Sequence, residues 1–250
     1  LDRNELVTYL DTYFNVSAIN DSSCNGLQVE GKSMVTKIAL AVDFSMEAAQ
    51  QAHKAGCDLL IVHHGQIWGG LTHIRGFIYE RIKAVIDTGL NLYALHLPLD
   101  MHSELGHNVQ IARLLEVDRC ETFGSYNGQE LGVWGVFSCP LTVEDLKERI
   151  DNTLSTVSLV LPFGRKSISS IAIISGSGAR GVTEAIEKGC DAFFTGEPSH
   201  TIYHTARDAA INVFFGGHYA TETPGLKALG RHLTDKFDLP SIFMDIPTGL

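Results

Sequence analysis

The sequence predicts an α/β protein of two similar halves related by an internal repeat, with a metal site in the cleft between them. Three observations carry this reading. The segment from Ile38 to Gly65 matches that from Ile171 to Pro198 without a gap, so that Gly56-Cys57-Asp58 falls on Gly189-Cys190-Asp191. Each copy reads strand, turn, helix, glycine stop, strand, a βαβ unit whose crossover makes its two strands parallel. Three apolar runs that read as buried strands end in metal-competent side chains, and open α/β sheets place ligands beyond the carboxyl ends of their strands.

The elements follow in order. Met46 to Ala55 carries helix formers, and Gly56 stands where a left-handed cap belongs. The run Leu59 to Val62 is a strand that delivers His63, His64 and Gly65 into a loop. Alternation along a strand would send the two imidazoles to opposite sides. Gly76 to Thr88 then reads as a helix, and Asn91 to Leu95 as a strand that delivers His96 and Asp100. A break between Val117 and Gly132 gives halves of residues 1–120 and 121–250, the last segments being free to pack back on the first half. Val143 to Leu154 is amphipathic and begins extra structure in the second half. There the helix from Gly181 to Lys188 stops at Gly189, and the strand Ala192 to Phe194 leads into Thr195-Gly196-Glu197. His200 to Ala210 is a helix, and Asn212 to Phe215 a strand followed by Gly216-Gly217, His218 and Glu222. Four residues apart, His218 and Glu222 share a face if a helix begins there.

Composition narrows the function. The chain has 250 residues and a net charge of −10 without a basic cluster, which argues against a nucleic-acid partner. Five cysteines, Cys24, Cys57, Cys120, Cys139 and Cys190, are scattered without a Cys-x-x-Cys, which fits a reduced, cytoplasmic setting. No apolar run reaches the roughly 20 residues that span a bilayer, and the start has no signal-peptide core. The loop Gly176-Ser177-Gly178-Ala179-Arg180-Gly181 fits the dinucleotide fingerprint. The following strand ends in Glu197, a poor match to the acidic residue that fingerprint needs, so a structural turn leads, ahead of an anion site and NAD.

Imidazole and carboxylate together are the ligands of zinc, iron and related metals. Three or four histidines with two carboxylates exceed one tetrahedral zinc and suit two ions. A hydrogen-bonded structural pair is the competing reading for His63-His64 alone.

These segments together resemble the NIF-three-like family, also called GTP cyclohydrolase I type 2 homologues, over nearly the whole chain. The resemblance rests on Asn25 to Gly31, His63-His64-Gly65, His96 to Asp100, Ser175 to Gly178, Thr195 to Glu197 with His204, and Gly217 to Glu222. It implies a two-metal centre between two α/β domains and a ring-shaped homohexamer. Carried over by residue, His63, His64, Asp100, His218 and Glu222 would be the ligands, with Glu197 and His204 lining the cleft. His96, at the same strand end as Asp100, is a ligand, a substrate contact or, as favoured here, an oriented hydrogen-bond partner of a ligand. Glu222 would bridge the ions, with His63 and His64 capping opposite ones. Zinc, iron(II), manganese or nickel would suit the set.

The resemblance implies a metal-dependent hydrolase that opens a C–N bond of a guanine nucleotide, with Glu197 or His204 moving a proton. The same centre would suit another dinuclear hydrolase, acting on a phosphoester or amide. A non-enzymatic regulatory protein with structural metals is the third expectation. A small-molecule substrate, in place of a membrane or nucleic acid, is the partner in the first two.

Overall fold

In the computed structural model, which describes residues 1–70 and 73–250, the chain forms two units, each with one sheet. The first unit holds α1 (Arg3–Tyr13), β1 (Gly26–Val29), β2 (Ile38–Asp43), α2 (Met46–Lys54), β3 (Leu59–His64), α3 (Phe77–Thr88), β4 (Asn91–Ala94) and α4 (Leu97–Asp100). The second holds α5 (His107–Leu114), β5 (Asp118–Tyr126), β6 (Gln129–Thr142), α6 (Val143–Leu154), β7 (Leu159–Pro162), β8 (Ser167–Ile174), α7 (Val182–Glu187), β9 (Ala192–Thr195), α8 (Tyr203–Asp208), β10 (Asn212–Phe215) and α9 (His218–Thr221). The chain then returns to the first unit with α10 (Pro224–Phe237) and β11 (Ser241–Phe243).

The repeat is visible in the sheet orders. The first sheet runs β1-β4-β3-β2-β11, with β2, β3, β4 and β11 parallel and β1 antiparallel at the edge. The second runs β5-β6-β8-β9-β10-β7, with β8, β9 and β10 parallel and β7 antiparallel beside β10. Thus β1-β4-β3-β2 corresponds to β7-β10-β9-β8, and the offset at the edge strands is that of the βαβ units (159 − 26 = 133). Strands β2, β3, β4, β9 and β10 are buried along nearly their whole length, as parallel strands covered on both faces must be. Ala39, Ala41, Leu60, Val62 and Leu92 meet Ala48, Ala49 and Ala52 of α2 on one face of the first sheet. The small alanines let helix and sheet approach closely. Both predicted cap glycines are left-handed, Gly56 at φ +73° and Gly189 at φ +75°.

Two boundaries differ from the sequence reading. The divide falls at Leu105/Gly106 and not near residue 120, because α5 is anchored in the second unit. Ile111, Ala112 and Leu115 pack with Phe137 and Ile171, while Asn108 donates to the Leu131 carbonyl (2.8 Å) and accepts from the Ser175 N–H (2.7 Å). Helix α6, expected as added structure, precedes β7 just as α1 precedes β1; the addition is the β5–β6 hairpin. All five cysteines are free thiols, with Cys57 and Cys190 buried at their matching positions. No helix among the described residues is long and apolar enough to cross a membrane.

Candidate metal centre

The carboxyl ends of β3 and β4 carry the first unit's set. His63 is fully buried, and its Nδ1–H donates to the Leu95 carbonyl at 3.0 Å. His64 donates from Nδ1 to Asp43 Oδ1 at 2.8 Å; Asp43 ends β2 and is the register partner of His64. His96 donates from Nδ1 to the Asp21 carboxylate, at 3.0 Å from each oxygen. An imidazole whose Nδ1 carries the proton presents its Nε2 lone pair, so each acceptor also fixes the tautomer a metal needs. Strand alternation does not hold the rings apart where β3 runs out into Gly65. The His63 and His64 rings lie 4.7 Å apart, and the ligand atoms of His63, His64 and His96 lie within 4.8 Å of one another. Asp100, buried at the end of α4, places Oδ2 3.6 Å from His63 Nε2.

The segment before β1 organises His96. Asn25 accepts from the His96 N–H (2.7 Å) and donates to Asp21 (2.8 Å), which also accepts from the Leu97 N–H (3.0 Å). Burial works against the charge on Asp21, yet the bonds from His96 and Asn25 hold its carboxyl below the usual carboxylate range. His96 therefore has the hydrogen bonding of a ligand, one of the roles its position suggested, and is itself supported by Asp21. Asp21 and Asp43 escaped the sequence reading. Asp43 had a signal, an acid ending a strand parallel to that of His64; Asp21, in an irregular segment, had none.

The second unit's set lies beyond β9 and β10. His218 opens α9 and Glu222 follows its last residue, so one turn brings His218 Nε2 to 3.0 Å from Glu222 Oε2. His218 Nδ1 donates to Glu197 Oε1 at 2.5 Å. Burial opposes a charge on His218, but Glu222 and then Glu197 outweigh it and raise the pKa to about 9. This site favours positive charge at Nε2, the field a divalent cation would also meet. Gly176, at φ +60°, lies against the pair, and a Cβ there would stand 2.2 Å from Glu222 Oε1 and 3.3 Å from His218 Nε2. The glycine loop is thus explained by packing: side chains at Gly178 and Gly181 would collide with Ile174 at 2.3 Å and 2.5 Å. Helix α7 after it has only six residues.

The expected proton carriers separate. Glu197 is bonded to His218 and orients it, with its side chain still 47% exposed. His204 is exposed on α8 with its ring edge-on to Tyr203 at 5.2 Å, and among the described residues it makes no hydrogen bond or ion pair to His218, Glu197 or Glu222. The donor sets, imidazole nitrogens with carboxylate oxygens, fit divalent metal ions in each unit.

Comparison with known proteins places these features in one lineage. Residues 1–248 match the family Duf34/NIF3 (NGG1p interacting factor 3). The GTP cyclohydrolase 1 type 2 homolog of Pyrococcus horikoshii is 44% identical, the alignment covering all of both chains. The solved structure of protein ybgI superposes with a TM-score of 0.93 at 36% identity, and that of TTHA1606 from Thermus thermophilus with 0.89 at 39%, each covering all of both chains. The chain belongs to the Duf34/NIF3 family.

Proposed function

We propose that this protein is a metal-dependent hydrolase of the GTP cyclohydrolase kind, with His63, His64, Asp100, His218 and Glu222 holding two divalent ions. One observation carries the reading: His63, His64, His96 and His218 are each held through Nδ1 by a fixed oxygen acceptor. Support of this kind on the second ring nitrogen is what metal-binding imidazoles require. The name of the Pyrococcus horikoshii relative supports the choice of a guanine nucleotide as substrate.

Bound divalent ions would polarise a substrate oxygen and acidify water toward neutral pH. The chain's own residues supply the rest. Asp43 and Glu197 fix the rings of His64 and His218, and the Leu95 carbonyl fixes His63. Glu222, buried with an oxygen 3.0 Å from His218 Nε2, would offer its carboxylate to an ion held there. Glu197 keeps one oxygen on His218, and its exposed carboxylate is the proton carrier for water and for the leaving nitrogen.

The test is elemental analysis followed by incubation of the metal-loaded protein with GTP and mass spectrometry of the products. The expected product is ring-opened and heavier than GTP by one water. GTP recovered intact from a protein that holds its ions would refute the assignment.

A further inference from the structure

Trp68 stands beside the histidines and has no part in the site as described. Its ring centroid lies 5.0 Å from that of His96, at 71° between planes, and 6.1 Å from that of His64. The residue is 40% exposed, although its loop is firmly tied. Gln28 accepts from the N–H groups of Gln66 (2.8 Å) and Ile67 (3.1 Å) and donates to the Ile67 carbonyl (3.3 Å). Cys24 N–H donates to the same carbonyl at 3.0 Å, and Gly69 N–H to the Ser22 carbonyl at 2.7 Å. None of these bonds uses the indole. Its Nε1–H is satisfied within the loop by the Gly65 carbonyl at 2.9 Å. The ring is therefore held by the Gly65 carbonyl and left open, next to the imidazoles, while the other bonds that tie the loop do not use it.

We propose that the indole of Trp68 is a stacking surface for the planar heteroaromatic ring of the substrate, which it holds beside His64 and His96. Such a ring offers a flat face to the indole and a polar edge to the imidazoles and carboxylates. A rigid aromatic with two side-chain torsions loses little entropy in binding it, and base–aromatic stacking changes affinity by roughly 5–150-fold when removed. This assignment rests on the hydrolase reading for its setting, but it makes a separate claim about binding.

The chain has two tryptophans, Trp68 and Trp134. Trp134 Nε1 has no hydrogen-bond partner among the described residues, so Trp134→Phe loses no bond and leaves Trp68 as the single fluorophore. In that background guanosine 5′-monophosphate should quench emission saturably. Equilibrium dialysis should show its Kd raised about 5–150-fold in Trp68→Ala and less in Trp68→Phe. Ribose 5-phosphate, lacking the ring, should bind all three alike, and metal content should be unchanged. Absence of quenching, or an equal Kd in wild type and Trp68→Ala, overturns the proposal even if GTP is hydrolysed. Quenching and the Kd shift in a protein that never hydrolyses GTP sustain the stacking and remove the hydrolase reading. If Trp68→Ala does not fold, the quenching and the Kd of Trp68→Phe decide.

Discussion

The two units solve one structural problem identically and one chemical problem differently. At the amino ends of β4 and β10 stand Asn91 and Asn212, both fully buried. Asn91 accepts from the Gly31 N–H and donates to the carbonyls of Lys32 and Asp58. Asn212 accepts from the Gly164 N–H and donates to the carbonyls of Arg165 and Asp191. The aspartates match as well: Asp58 accepts from Thr36 and pairs with Lys32, and Asp191 accepts from Ser169 and Ser170 and pairs with Arg165. At the opposite ends His63-His64 corresponds in the repeat to Gly196-Glu197. The end that ties a strand to its incoming loop is the same in both units, because the backbone groups to be satisfied are the same. The end that carries chemistry has diverged.

The sharpest way to break this comparison is to remove its centre. Asn91→Ala and Asn212→Ala each strip three backbone groups of a buried partner and should each cost about 2–5 kcal/mol by urea denaturation. A loss below about 0.5 kcal/mol at either position would show that the two clamps are not equivalent.

Next comes the diverged end. Glu197→Gln replaces the carboxylate that orients His218 and should weaken metal affinity about 10–100-fold in competition with a chelator. Unchanged affinity would show that the bond from His218 to Glu197 does not support metal binding.

The aspartates should differ by less. Lys32 Nζ lies 2.8 Å from Asp58, whereas Arg165, 84% exposed, is 3.8 Å from Asp191. Burial raises the Asp58 pKa, but Lys32 and Thr36 prevail and set it below its ordinary value. A carboxyl lowered on folding contributes stability above its unfolded pKa of about 4 and loses it as pH falls through the folded value. Asp58→Asn should therefore cost about 1–2 kcal/mol at pH 7 and flatten the decline of stability below pH about 4, with Asp191→Asn costing less. Equal costs, or an unchanged acid limb, would contradict the tighter pairing in the first unit.

The smallest effect is expected at His204. Exposed and apart from His218 and Glu222, it should on replacement by alanine shift stability by no more than about 0.5 kcal/mol and leave metal content unchanged. Loss of an ion would place it in the site.

The fold was legible wherever pattern is local. Parallel strands buried on both faces read as the runs Leu59 to Val62 and Asn212 to Phe215, and cap glycines read directly from position. The candidates His63, His64 and His218 stood out because they close or closely follow those runs. What escaped depends on contacts between distant segments. Asp21 reaches His96 from 75 residues away, and Asn108 ties α5 to the second unit through Leu131 and Ser175. Glu197 read only as a proton carrier because its partner, His218, lies on another loop.

Metal content bears most directly on the claim that oriented imidazoles of both units hold divalent ions. Elemental analysis of purified, metal-loaded protein should find two ions per chain. His64→Ala, from the first unit, and Glu222→Gln, from the second, should each retain fewer, because on this proposal one would lose an imidazole ligand and the other a carboxylate ligand. Two ions kept in full by both variants would contradict the account.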